Sequence, residues 1–300
     1  MGILDLVGGT PILELRNIAA SVPGVRILAK AEFCNPSGSV KDRAARAMLL
    51  DGSRRGALTR DRGIIDATSG NTGIAYAMLG AALGYSVTLY MPANTGRLRK
   101  GIIRRYGASI VETDPLEGSD GAYLAARAAV EEHPQLWFYP DQYNNPANPL
   151  AHYEGTGPEI WRQSGGRVSH FVAAMGTSGT FVGVSRRLKE YDPRVRCLAV
   201  QPDSPFHGIE GTKHLASTLC PGIFEKSLAD DFIPVSTEQA YAMTRRLAAE
   251  EGVLVGVSSG CNVQAALILA GTLPPGSTVV TVLCDSGNRY IFDSFWEERP

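Results

Sequence analysis

Three hundred residues, 44% of them apolar, are enough for one large core or two moderate ones, and a formal net charge of −1 gives no global attraction to nucleic acid or an anionic membrane. Five scattered cysteines (Cys34, Cys197, Cys220, Cys261, Cys284) without C-x-x-C spacing read as reduced thiols rather than a disulfide frame or zinc site, and the five histidines also lack metal-ligand spacing, so no metal is expected. The first twenty residues, MGILDLVGGTPILELRNIAA, have neither a basic start nor an unbroken apolar run, and no stretch reaches membrane-span length, so a cytoplasmic chain is expected.

The first predicted strand is 26–33 (RILAKAEF), followed by a helix over 39–55 that opens within NPSGSVKDR (35–43). Ser39 and Asp42 have capping-box spacing, which puts Lys41 in the first helical turn, where the macrodipole disfavours a cation by roughly 0.3–1 kcal/mol. The bland reading is a surface lysine in a capped helix. The functional one is an amine that gives up its proton more readily than usual, forms a Schiff base with a carbonyl and later moves protons.

The next strand, 64–67, ends in ATSGNTG (67–73) before a helix over 71–83. There Thr68, Ser69, Asn71 and Thr72 set hydroxyl and amide groups beside unpaired backbone N–H groups, while Gly70 and Gly73 allow close backbone approach, a turn suited to a carboxylate or simply a polar cap. A strand at 86–91 leads to a helix at 95–106 whose run RLRKGIIRRY carries five basic residues; Leu98, Ile102, Ile103 and Tyr106 fall near one face, so a solvated amphipathic helix is expected there. Strands at 109–112 and 136–139 flank a helix at 118–132, and the Pro- and Asn-rich 140–150 reads as a crossing between two halves.

Beyond a helix at 153–163, the strand 169–174 runs through MGTSGTF (175–181) into a helix at 179–191. Gly176, Thr177, Ser178, Gly179 and Thr180 can wrap a phosphate, and because the run fits neither G-x-x-x-x-G-K-[ST] nor G-x-G-x-x-G, a phosphate monoester is favoured over ATP or a dinucleotide. After a strand at 195–200, residues 201–234 form a long irregular stretch with four prolines, a length that is usually functional. A helix at 237–251 precedes GVSSGCN (256–262), where Ser258 or Ser259 either donates to a ring nitrogen or caps the helix at 260–271, and a last strand is predicted at 278–283. Cys34 and Cys261 are expected as small buried hydrophobes. The βαβα rhythm predicts an α/β chain with parallel sheet covered on both faces, as one sheet or two.

A Schiff-base lysine, an anion-binding turn, a phosphate cradle and a late serine together describe a pyridoxal phosphate site. In order and spacing the chain resembles the fold type II (β-family) pyridoxal phosphate enzymes, and among them the cysteine synthases, or O-acetylserine sulfhydrylases, especially the B-type. The likeness spans GGTPILEL (8–15), NPSGSVKDRAA, TSGNTGIA, DQYNNPANPLAHYEGTGPEIW (141–161), GTSGT, GVSSG and CDSGNRY (284–290). It implies two three-layer αβα domains with mostly parallel twisted sheets: a smaller one of 1–12 and 35–145, and a larger one of 13–34 and 146–300. It also implies a homodimer, with no heme-binding N-terminal region and no regulatory C-terminal domain.

The resemblance implies that Lys41 holds pyridoxal 5′-phosphate, that Asn71 bonds its ring hydroxyl oxygen, and that Gly176, Thr177, Ser178, Gly179 and Thr180 bind its phosphate. Ser258 then faces the pyridine nitrogen, leaving the ring a weak electron sink suited to prompt loss of a β-substituent. Thr68, Ser69, Gly70, Asn71, Thr72 and Gln142 bind the substrate, chiefly its α-carboxylate, with Gly208 and Ile209 near the cofactor face. The implied activity is β-replacement through an α-aminoacrylate, joining an activated serine (O-acetylserine or O-phosphoserine) to sulfide or thiosulfate. Closure of the smaller domain would keep water out. Lys213 and His214 are either a recognition element for phosphate or thiosulfate or solvated loop residues. Alternatives are a 2,3-diaminopropionate synthase, a cystathionine-forming synthase, a serine/threonine dehydratase, or a non-catalytic relative acting as a binding protein.

Overall fold

The computed structural model describes residues 1–68 and 70–297. Its strands are β1 (Ile12–Glu14), β2 (Arg26–Ala31), β3 (Gly63–Ala67), β4 (Val87–Pro92), β5 (Ser109–Thr113), β6 (Trp137–Phe138), β7 (His170–Ala174), β8 (Arg196–Pro202), β9 (Asp231–Val235) and β10 (Thr278–Leu283). Its α-helices are α1 (Lys41–Arg54), α2 (Asn71–Leu83), α3 (Arg97–Arg105), α4 (Gly118–Glu132), α5 (Ala147–Ala151), α6 (Gly157–Gln163), α7 (Gly179–Tyr191), α8 (Thr237–Glu251) and α9 (Val257–Ala270). Among the described residues no helix is long and apolar enough to cross a membrane.

The chain forms two compact units, one of Met1–Val7 with Lys41–Asn148, the other of Gly8–Val40 with Pro149–Pro300. The divisions fall at 7/8, 40/41 and 148/149, where the sequence suggested 12/13, 34/35 and 145/146. Pairing accounts for the shifts. β1 runs antiparallel to β2, and Ser39 bridges to Asp285 while Val40 N–H donates to the Cys284 carbonyl at 2.8 Å, so 8–12 and 35–40 go with the larger unit.

In the smaller unit a four-stranded parallel sheet has the order β5-β4-β3-β6. Every residue of β3 is buried, and α2, NTGIAYAMLGAAL, is apolar nearly all round because it is covered on most sides; Ile74, Ala75, Tyr76 and Leu79 join Ala45, Met48 and Leu49 of α1 in one core. The chain proceeds from β3 outward through β4 to β5, then returns to place β6 on the other side. The β3/β6 boundary is therefore a topological switch point, where α/β sheets place ligands beyond the carboxyl ends of the strands.

The larger unit holds a six-stranded sheet, β1-β2-β10-β7-β8-β9, parallel except for β1. Strand alternation sorts two apolar layers. Ile27, Ala29, Val172, Leu198, Val200 and Val279 face one cluster with Met243, Leu247, Val263 and Ala266 of α8 and α9. Leu28, Phe171, Ala173, Cys197, Ala199, Val280 and Val282 face the other, with Ile160 of α6 and Phe181, Val182 and Leu188 of α7. Both sheets are mostly parallel with helices on both sides, which is the expected α/β architecture.

Three expectations change. β1 and β9 were not foreseen: β1 has three residues, and β9, DFIPV, carries a proline that an edge strand tolerates. The helix expected at 153–163 is longer and broken, with a π-helical turn, His152–Thr156, between α5 and α6. And α9 begins at Val257, three residues early, with Gly256 as its N-cap, so the small residues of GVSSGCN are already helical.

Candidate active site

At the switch point of the smaller unit, Thr68 follows β3 and Gln142 lies four residues beyond β6. Thr68 Oγ1 accepts from the N–H groups of Gly70 (3.3 Å) and Gly73 (3.2 Å), folding the turn back onto the start of α2. The Thr72 hydroxyl donates to Gln142 Oε1 at 2.9 Å, and Gln142 Nε2 donates to the Ala67 carbonyl at 3.0 Å. Thr72 and Gln142, seventy residues apart in sequence, are thus locked together in a buried network beside the half-buried first helical residue, Asn71. Gly73 is demanded by space, since a Cβ there would lie 2.7 Å from Thr68 Cγ2. Ser69, the remaining member of the predicted turn, lies outside the described residues.

Lys41 is the first residue of α1 and half-buried, and the turn behind it, Asp42 to Ala45, is buried. The approach to it is rigid. Asn35 Oδ1 accepts from Gly8 N–H (2.9 Å), its Nδ2 donates to Glu32 Oε2 (2.7 Å), and Arg289 bonds the Ser37 carbonyl. Ser39 bridges to Asp285, and the helix begins at Lys41.

In the larger unit β7 delivers the loop 175–180 to the start of the thirteen-residue α7. The loop is pinned at its base, where Ala174 N–H donates to Asn262 Oδ1 (2.7 Å) and Met175 N–H to the Val200 carbonyl (3.1 Å). Gly176 is obligatory, because a Cβ would come 2.2 Å from the Gly211 carbonyl oxygen. Ser178 adopts the left-handed conformation at φ 69°, and its buried hydroxyl has no hydrogen-bond partner among the described residues. Thr180 Oγ1 is 3.2 Å from His152 Nε2 in the π-helical turn. A strained loop at a helix N-terminus with an unsatisfied buried hydroxyl is chemically fitted to a phosphate. The residues present therefore fit the phosphate end of pyridoxal phosphate.

The two serines of α9 separate cleanly. Ser259 is fully buried and its Oγ accepts from Cys284 N–H at 2.8 Å, whereas Ser258 is half-buried and makes no hydrogen bond among the described residues. Gly208 and Ile209 are engaged internally: Gly208 N–H donates to Thr237 Oγ1 (2.9 Å), and the Ile209 side chain is buried in the core. The segment behind them closes on the phosphate loop, with Lys213 N–H donating to the Met175 carbonyl at 2.8 Å. Lys213 is buried, which removes the solvated reading for it, while His214 Nδ1 lies 2.8 Å from Ser217 Oγ. Cys261 is buried as expected, and burial pushes its thiol up; Cys34 is exposed, against expectation, because it ends a short 3₁₀ turn.

The basic run does form an amphipathic helix, with Ile103 buried and Ile102 packed beside it, but its faces are drawn differently from the expectation. Leu98 and Tyr106 are exposed, while Arg99 and Lys100 are buried with Ile103. Lys100 Nζ donates to the Ala93 carbonyl (2.6 Å) and Glu112 (3.0 Å). Arg99 lies against the carboxylate turn: a Cβ on Gly70 would be 3.5 Å from its Cδ and 3.6 Å from its Nη1. Apolar periodicity hid these two, because a long basic side chain can bury its stem and still satisfy its head.

The chain belongs to the pyridoxal-phosphate dependent enzyme family, which it matches over residues 3–285. Within the family, cysteine synthases are among its relatives. It is 48% identical over 302 residues to cysteine synthase of Aquifex aeolicus, covering 99% of this chain and 92% of that protein. To cysteine synthase B of Salmonella typhimurium it is 42% identical over 293 residues, 98% and 95% of the two chains. The crystal structure of cysteine synthase from Entamoeba histolytica shares the fold with a TM-score of 0.94 at 34% identity, over 99% of this chain and 91% of that one.

Proposed function

We propose that this protein makes L-cysteine by β-replacement, exchanging the acetate of O-acetylserine for sulfide with pyridoxal 5′-phosphate as cofactor. The observation that carries this reading is the 48% identity to a cysteine synthase over 99% of the chain. The cofactor, when bound, supplies an aldehyde and an electron-accepting ring that together labilise the Cα proton and the β-substituent.

Each residue's part follows from its surroundings. Lys41 Nζ holds the cofactor and, once released, takes the proton at Cα and later returns it. The N–H groups and hydroxyls of 176–180 hold the phosphate, where Ser178 Oγ gains the partner it lacks. Asn71 meets the ring hydroxyl oxygen. Ser258 meets the ring nitrogen, since Ser259 is already committed to Cys284. Thr68, Ser69, Gly70 and Thr72, with Gln142 holding Thr72 in place, bind the α-carboxylate. Gly208 and Ile209 act through the path of their loop, because their N–H groups are already engaged, by Thr237 of α8 and by His207. The enzyme works as a cytoplasmic homodimer, which sedimentation checks.

To test this, the holoenzyme is offered O-acetylserine, O-phosphoserine and serine in turn, and then sulfide, thiosulfate or homocysteine, with products separated chromatographically. Cysteine from O-acetylserine and sulfide is the expected result. Product with homocysteine but none with sulfide would make it a cystathionine-forming enzyme instead. Lys41→Ala should lower turnover by at least about 10³-fold, because the proton carrier is gone.

A further inference from the structure

The carboxylate turn rests on a buried acid that the proposed chemistry does not use. Asp66, in β3 two residues before Thr68, is 1% exposed. Its Oδ1 accepts from Ala67 N–H at 2.8 Å, and its Oδ2 has no hydrogen-bond partner among the described residues. Ala67 is also the residue whose carbonyl holds Gln142, which in turn holds Thr72. A continuous path therefore runs from the Asp66 carboxyl through one residue of backbone to the group proposed to fix the substrate carboxylate.

The surroundings favour the neutral acid. From α2 the Tyr76 phenol acts on Asp66; from the segment after β6 come Asp141, Tyr139 and Tyr143; behind these, α4 contributes Asp120, Tyr123 and Arg127, the last acting on Tyr139. Tyr139 has a buried hydroxyl without a partner of its own among the described residues. Burial raises Asp66 to about 7, partly countered by the Tyr76 hydroxyl and the Ala67 and Gln142 backbone groups, and Asp141 adds to the rise.

Resting on the cysteine synthase reading above, we propose that Asp66 is a positioning residue that works as the neutral acid. Protonated, it leaves the 67–73 turn free to take up a substrate carboxylate. Ionised, it sets a negative charge at the end of β3 beneath the binding turn and tightens its pull on Ala67, and the carboxylate is held less well. Affinity for the amino acid then falls as pH rises through the range where Asp66 loses its proton to solvent.

The test compares wild type, Asp66→Asn and Tyr76→Phe as holoenzymes. KM and kcat for O-acetylserine, and the dissociation constant of L-cysteine read from cofactor absorbance, are measured from about pH 6 to about pH 8.5. Titration of the amino acid's own amine is common to all three proteins and cancels in ratios. The wild-type to Asp66→Asn ratio of KM should climb roughly three- to tenfold across that range, with the kcat ratio within about twofold. In Tyr76→Phe the inflection should move to higher pH, since a phenol that favours the carboxylate has gone. The infrared difference between wild type and Asp66→Asn should show a protonated carboxyl that disappears over the same range. A flat KM ratio, or no protonated carboxyl at about pH 6, would overturn the proposal. Should Asp66→Asn not fold, the Tyr76→Phe shift decides, and an unmoved inflection counts against it. A wild type that ignores O-acetylserine refutes the functional reading alone, because the L-cysteine dissociation constants still report on Asp66.

Discussion

The carboxylate turn after β3 and the phosphate loop after β7 share one plan, a buried parallel strand followed by a run of small polar residues and a helix. They are finished in opposite ways. In the turn after β3 the hydroxyls of Thr68 and Thr72 have protein partners, Thr68 two backbone N–H groups and Thr72 Gln142. Around 175–180 the backbone is clamped by Gly211 and Asn262, yet Ser178 is left in the left-handed region with an unsatisfied buried hydroxyl. The difference matches the two ligands. On the proposed roles, a substrate that comes and goes would be met by a turn already assembled, whereas a resident phosphate would complete hydrogen bonds that the protein leaves open.

The contrast can be broken most severely at Gly176. Gly176→Ala puts a methyl 2.2 Å from a carbonyl oxygen and should cost about 3 kcal/mol of stability together with cofactor retention, read by thermal unfolding and absorbance of the bound cofactor. Next comes the acid under the carboxylate turn. With a folded-state value of about 7 against 3.8, Asp66 binds more protons folded than unfolded between those values. Its stability contribution is therefore full below about pH 4 and is lost as pH rises to about 7, with an upper bound of about 4 kcal/mol. Urea titrations across that range should show the decline, and Asp66→Asn should flatten it.

Thr72→Ala should raise KM for O-acetylserine about tenfold, or roughly 1.4 kcal/mol, and leave cofactor affinity unchanged, since it removes the proposed carboxylate contact and the link to Gln142 but no group of the phosphate loop. Equal loss of cofactor would mean that the two regions are not independent. The smallest effect is expected at Ser178. Ser178→Ala removes an unsatisfied buried hydroxyl and should stabilise the cofactor-free protein by about 1 kcal/mol while weakening cofactor retention. The same sign in both forms would contradict a loop built for an absent partner.

Much of this was legible locally. The period-2 runs, the turn chemistry and the odd lysine at a helix start each have a cause within a few residues, and most helix ends fall close to where capping and glycine signals put them. What failed had a distant cause. β1 and β9 are stabilised by the strands they join, not by their own composition. Arg99 and Lys100 look like solvated charge until their neighbours are in place. Residue chemistry alone left Ser258 and Ser259 equivalent, with only the family resemblance favouring Ser258; the bond from Cys284, twenty-five residues beyond Ser259, shows that Ser259 is engaged. Asp66 stands in the sequence as an ordinary acid before a turn, and its raised value comes from burial and from Asp141, seventy-five residues on, against the pull of the Tyr76 phenol.

Residue order alone was therefore sufficient for the α/β class and the cofactor, because helix termini, backbone N–H groups and glycine geometry are local properties. Tertiary structure decided which hydroxyl is already engaged, which cation is buried and which acid is shut away from solvent. Those depend on desolvation and on partners far along the chain, and no window of sequence contains them.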